Sequence, residues 1–169
     1  MSIESYQRDG DEAVRLTNDD ASICKKFAVQ KGYWKDQYLP MFVRSNERKA
    51  PEINRGYFAR VKAITILIHK FIKVYTRYHY HNVFTTNVIV LQMTDGKCQI
   101  VNFGAGFDTL FWKLRDENLN VAKFVELDFP NVTARKCQYV RNSRQLMEAF
   151  QCQFNSGLTQ YYLYQPRTI

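Results

Sequence analysis

Gly104, Gly106 and Asp128 are the residues whose types and spacing best suit chemistry. The glycines lie in "QIVNFGAGFDTLFWKL", residues 99–114, where an apolar run meets Gly104-Ala105-Gly106 and then an apolar helical pattern. A strand feeding a helix through glycines leaves backbone N–H groups at the helix start and lets a ligand approach the main chain. Asp128 follows 24 positions after Gly104 and closes a second apolar run. A carboxylate placed there accepts hydrogen bonds from both hydroxyls of a ribose. The pattern is G-x-G without a third glycine: position 109 is Thr109, and Phe107 and Asp108 bring bulk and negative charge to the turn. A third glycine favours a diphosphate, so its absence points to a nucleoside without phosphates, a description that S-adenosylmethionine meets. A tight strand-to-helix turn that holds no ligand is the plain alternative.

These residues need a β-α-β frame. Gln99 to Phe103 reads as a buried parallel strand. Phe107, Leu110, Phe111 and Leu114 read as a helix packing back on it, Lys123 to Asp128 as a second strand, and Pro130 as the start of a further helix. Upstream, Pro51 suits a first helical turn, and Ile53, Tyr57, Val61, Ile64, Ile68 and Phe71 recur at three- and four-residue steps. That spacing predicts a helix with one buried face. Gly56 inside it costs about 1 kcal/mol against alanine, and marks either a close backbone approach or simple tolerance. Asn18, Asp19 or Asp20 can cap a helix through "ASICKKFAVQKGY", with Ile23, Phe27 and Ala28 as its apolar side. Residues 1–18 read as a mobile tail. "KDQYLPMFV" breaks at Pro40, "NVIVLQM" reads as a strand, and Met93 to Gly96 as a turn. From Thr133 a helix is expected, then a second with Leu146, Phe150 and Phe154 at helical spacing. "LTQYYLYQPRTI" reads as irregular.

Composition bounds the answer. A chain of 169 residues with 46% hydrophobic and 15% aromatic residues makes one globular domain. No apolar run reaches the roughly 18–20 residues that span a bilayer, and the first residues lack a basic-then-apolar signal pattern. The chain therefore reads as cytoplasmic and monomeric, with no membrane partner. Cys24, Cys98, Cys137 and Cys152 have no paired spacing, and His69, His79 and His81 add no ligand pattern, so free thiols are expected and no metal. The net charge is +8, of which residues 51–100 carry +5. A basic middle can meet nucleic acid. These charges are spread along one helix rather than clustered as an arm, and a carboxylate or other small anion accounts for them equally well. No nucleic-acid partner is expected.

Beyond the glycine turn, four segments stand out: "ASICKKFAVQKGYW", "ERKAPEINRGYFARV", "CQIVNFGAGFDTLFWKL" and "FVELDFPNVTARK". In this order they resemble the signature segments of the leucine carboxyl methyltransferases, over roughly residues 20–73 and 96–136. The resemblance implies methyl transfer from S-adenosylmethionine to the C-terminal leucine carboxylate of the catalytic subunit of type 2A protein phosphatase. It implies an α/β fold, an incomplete doubly wound (class I methyltransferase, Rossmann-like) sheet with an N-terminal helical lid. Carried over by matching segments, Lys25, Arg60, Gly104 and Asp128 would contact the cofactor. No catalytic residue follows from it. A non-catalytic module that binds the phosphatase tail or another acidic partner is the alternative.

Two stretches depart from the family pattern. Residues 74–92 match none of it and read as an insert in the 19–136 methyltransferase part; a segment from Val74 to Gln92 is what translation through a short in-frame intron would produce. Residues 137–169 read as an unmatched tail. A sheet lacking its second half would leave the adenine wall and acceptor pocket open and the first strand's edge exposed. The expectation is a truncated form with weak cofactor binding and no turnover.

Overall fold

The computed structural model describes residues 3–75, 83–84, 88–92, 98–119, 121–148, 151–154 and 160–164. Two long helices come first, α1 (Ile3–Gln30) and α3 (Pro51–Tyr75), separated by the short α2 (Leu39–Phe42). Strands β1 (Val83–Phe84), β2 (Val88–Gln92) and β3 (Cys98–Phe103) follow, then α4 (Leu110–Asp116), β4 (Val121–Leu127), α5 (Pro130–Arg141), α6 (Arg144–Met147), β5 (Gln151–Phe154) and β6 (Gln160–Tyr164). The six-stranded sheet has the order β1-β2-β3-β4-β6-β5.

The β-α-β unit stands as expected: β3 and β4 pair in parallel, with Asn102 opposite Glu126 and Phe103 opposite Leu127. Every other pairing is antiparallel. A parallel pair needs a crossover, and α4 supplies it. Its Leu110, Phe111, Trp112 and Leu114 are all buried. Phe107 is buried too, but it belongs to the turn before the helix. Trp112, Phe42 and Phe124 anchor a core in which Phe111 meets Trp112 and Phe124 edge-on at 5.6 Å each. The core also holds Tyr38 and Leu39 from the start of α2, and Ile68, Phe71 and Ile72 from the end of α3. Offset and edge-to-face aromatic pairs add about 0.5–1.5 kcal/mol each beyond area burial.

Several expectations are corrected. Residues 3–18 are helical rather than irregular: α1 runs unbroken from Ile3, so Asn18, Asp19 and Asp20 lie inside a helix and cap nothing at its start. The apolar stripe of α3 divides, since Ile68 and Phe71 enter the core whereas Ile53 is 43% exposed. Among the described residues nothing lies within 4 Å of where a Cβ of Gly56 would stand, so none of their backbone approaches it. Helical spacing past Leu146 is an accident of the sequence: α6 ends at Met147, and Gln151–Phe154 is a strand, with Phe150 outside the described residues. Gln160–Tyr164 is likewise a strand, paired with β4. The edge of β3 is covered, because β2 pairs along it from Val88 opposite Asn102 to Gln92 opposite Cys98. The expected strand in "NVIVLQM" is that β2; the expected turn at Met93 to Gly96 lies outside the described residues. No described helix is long and apolar enough to cross a membrane.

Candidate functional site

At the carboxyl ends of β3 and β4 the chain encloses a cavity of about 440 Å³, a size suited to a small molecule. Its walls come from α1, α3, the turn after β3 and the residues after β4. All four residues singled out by sequence, Lys25, Arg60, Gly104 and Asp128, line it. Lys25 is half-buried on α1, and Arg60 is exposed on α3. Two helices far from the glycine turn in sequence therefore deliver cations to the same space. Among its described lining residues there is no His or Cys.

The turn needs its glycines for different reasons. Gly104 has φ +60° and Gly106 φ +50°, in the left-handed region where side chains are strained. A Cβ at Gly106 would also lie 2.5 Å from Asn18 Oδ1. That oxygen accepts a hydrogen bond from the Phe107 N–H at 3.1 Å. Asn18, read from sequence as a helix cap, thus serves a backbone donor of a different element. Asp128 pins the turn from the other side. Its Oδ2 accepts from the Gly106 N–H at 2.6 Å, and its Oδ1 from the Phe129 N–H at 2.7 Å. A carboxylate has about four lone-pair sites, so both oxygens keep acceptor capacity.

Beneath the turn sits a buried ion pair. Lys136 and Glu126 have side chains 1% and 0% exposed, and Lys136 Nζ donates to Glu126 Oε2 at 2.6 Å. The same ammonium donates to the Asp108 carbonyl at 2.8 Å, tying α5 and β4 to the turn. Desolvating two charges is costly, and the extra hydrogen bond together with the Phe42 and Trp112 rings near the ammonium offsets part of it. The Asp108 side chain accepts from the Leu110 N–H at 2.7 Å. Burial alone would raise its pKa, but Lys25, Lys136, Lys113 and that N–H together hold the carboxyl below its ordinary value. Asp36, also buried, accepts from the Thr109 hydroxyl at 2.5 Å and from the Tyr38 and Leu39 N–H groups, joining α2 to the site.

Sequence reasoning missed Asn18, Asp36, Trp34 and Asn102 as lining residues. Trp34 and Asn102 share a property that only the structure reveals. Their donors, Trp34 Nε1 and Asn102 Nδ2, are buried with no acceptor among the described residues. The nearest signal in the sequence was Asn102 itself, a polar residue between Val101 and Phe103, two positions before Gly104.

A family model described as leucine carboxyl methyltransferase matches residues 13–158, running past Lys136, where the resemblance was expected to fade. Leucine carboxyl methyltransferase 1 of Rattus norvegicus is 48% identical over 133 residues, 78% of this chain and 34% of that protein. The leucine carboxyl methyltransferase 1 homolog of Arabidopsis thaliana is 41% identical over 136 residues, 80% of this chain and 36% of that protein. A more distant relative, tRNA wybutosine-synthesizing protein 4 of Homo sapiens, is 30% identical over 135 residues, 79% of this chain and 18% of that protein. The chain spans about a third of the length of the two leucine carboxyl methyltransferases.

Proposed function

Because the chain belongs to the leucine carboxyl methyltransferase family, we propose that it forms the S-adenosylmethionine cradle of an enzyme that methylates the C-terminal leucine carboxylate of the type 2A protein phosphatase catalytic subunit. One observation carries this reading: Lys25, Arg60, Gly104 and Asp128 line one cavity, with Asp128 bonded to the glycine turn. We read β3-α4-β4 as the first crossover of a doubly wound, Rossmann-like sheet, with α1 and α3 as its lid. Residues 19–136 carry the methyltransferase segments.

The residues present fit the cofactor. The cavity size suits it, and the wall offers an acceptor at one place and cations at another. The cofactor supplies a methyl group already activated on a sulfonium cation. Asp128 would receive the ribose hydroxyls. Lys25 and Arg60 would hold the amino-acid carboxylate, which Arg grips with two parallel bonds. A peptide C-terminus has a pKa of roughly 3.3–3.7, so the acceptor is ionised at neutral pH and needs no general base. The protein's part is to align the reactants and exclude water, in the cytoplasm and as a monomer.

Calorimetry with S-adenosylhomocysteine tests the cradle: in keeping with the weak binding expected from the sequence, the unsubstituted chain is expected to bind weakly and Asp128→Ala to lose most of that affinity, while absence of binding to the unsubstituted chain would overturn the reading. Labelled cofactor incubated with the phosphatase subunit tests the acceptor. Label on the terminal leucine supports methyl transfer; capture of the tail without label would make the chain a binding module instead.

A further inference from the structure

The cavity wall contains a donor that the protein itself leaves unused. Asn102 lies one residue from the end of β3, is 3% exposed and lines the cavity. Its Nδ2 finds no acceptor among the described residues. Leaving a buried amide donor unmet costs about 1–3 kcal/mol, and native structures rarely tolerate it without a reason. The neighbouring positions of β3 on the same face, Cys98 and Ile100, are apolar and packed in the core. Only where the strand reaches the cavity does the face turn polar.

The chemistry around this amide narrows what it can meet. Lys25 and Arg60 line the same cavity, and Trp34 Nε1 is a second donor there without an acceptor. Asp36, Asp108 and Asp128 line the cavity too, but each already accepts from hydroxyl or backbone donors of the protein; the ammonium, guanidinium, indole N–H and amide N–H are donors suited to an anionic group of a ligand. Asp128, the sugar acceptor of the proposal above, stands beyond the end of the adjacent strand, whereas Asn102 lies within β3 opposite Glu126.

Resting on the reading of the cavity as an S-adenosylmethionine cradle, we propose that Asn102 is a cofactor-binding residue whose Nδ2–H donates to the carboxylate of the cofactor's amino-acid end. It adds a hydrogen bond without adding a third positive charge. It also discriminates between adenosyl compounds that carry the amino-acid tail and those that have lost it.

The test compares two ligands by calorimetry: S-adenosylhomocysteine, which has the tail, and 5′-methylthioadenosine, which lacks it. Asn102→Ala is expected to lose roughly tenfold in affinity for the first, the worth of one hydrogen bond to a charged group, and to hold the second unchanged. Asn102→Asp replaces the donor with a second carboxylate and should lose more. In the unsubstituted chain, the Asn102 side-chain NH₂ resonances are expected to shift on adding S-adenosylhomocysteine and stay still with 5′-methylthioadenosine, a readout independent of how the variants fold. Equal losses for both ligands, undiminished binding by Asn102→Asp, or a silent NH₂ signal beside clear binding would overturn the assignment alone. Failure of the unsubstituted chain to bind either ligand would overturn the cradle as well.

Discussion

Asn18 in the middle of α1 accepts a hydrogen bond from the backbone N–H of Phe107, 89 positions later, at 3.1 Å. This bond joins α1 to the glycine turn. It exists because Gly106 carries no side chain, for a Cβ there would stand 2.5 Å from the same oxygen.

The first prediction follows from that closeness. Gly106→Ala should destabilise the fold by about 1–2 kcal/mol from the left-handed backbone alone, with a further loss from the clash. Asn18→Ala should cost about 0.5–1.5 kcal/mol for its bond. In urea denaturation the double variant is expected to lose less than the sum, since removing the amide relieves the clash. Strict additivity would show that the two positions do not meet.

Lys136 and Glu126 provide a second test. Lys136→Met takes the ammonium away from a buried carboxylate and should cost about 3–5 kcal/mol, whereas Lys136→Met combined with Glu126→Leu should recover much of the loss. If the double variant is as unstable as the single, the pair holds the Asp108 carbonyl in place more than it balances charge.

Acid should weaken the fold through Asp108 and Asp116. Burial works to raise both pKa values, but the lysines around Asp108, and the Tyr38 hydroxyl and Arg115 beside Asp116, lower them below the ordinary aspartate range. A depressed folded-state value contributes stability that is complete above the unfolded value, about 3.9, and is lost as pH falls through the folded value. The urea midpoint should therefore drop as the pH falls below about 4, and the drop should shrink in a variant carrying Asp108→Asn and Asp116→Asn. An unchanged pH profile in that variant would remove these two carboxylates as the cause.

Asp128→Asn keeps one oxygen and gives up the charge. Hydrogen bonds to charged groups are worth about 1.5–3 kcal/mol, so S-adenosylhomocysteine affinity should fall by roughly tenfold to a hundredfold, with 5′-methylthioadenosine falling in parallel. That parallel loss separates a sugar contact from a tail contact. Selective loss of S-adenosylhomocysteine alone would move Asp128 away from the ribose.

Much of the frame was legible from the residues. The run of apolar residues before Gly104, the helical spacing from Leu110 to Leu114 and the second run ending at Asp128 each encode a local preference, and neighbours in sequence suffice to express it. The same held for α3, whose period was plain over five turns, although which part of its stripe would be buried was not. Past Leu146, local spacing misled. Residues 160–164 become a strand because β4 offers them an edge, and residues 151–154 because 160–164 in turn offer them one; a partner's edge is invisible in a strand's own sequence.

The chain's residue order by itself determined the β-α-β unit, its glycine turn and the acid that follows, because backbone preference and apolar periodicity act over a few residues. Tertiary structure alone decided that Lys25 and Arg60 reach the same cavity as Asp128, that Asn18 bonds to Phe107, and that Asn102 is buried with a donor to spare. The reason is physical: whether a polar group is satisfied depends on which atoms surround it once packing has excluded water, and those atoms come from elements far apart in the chain.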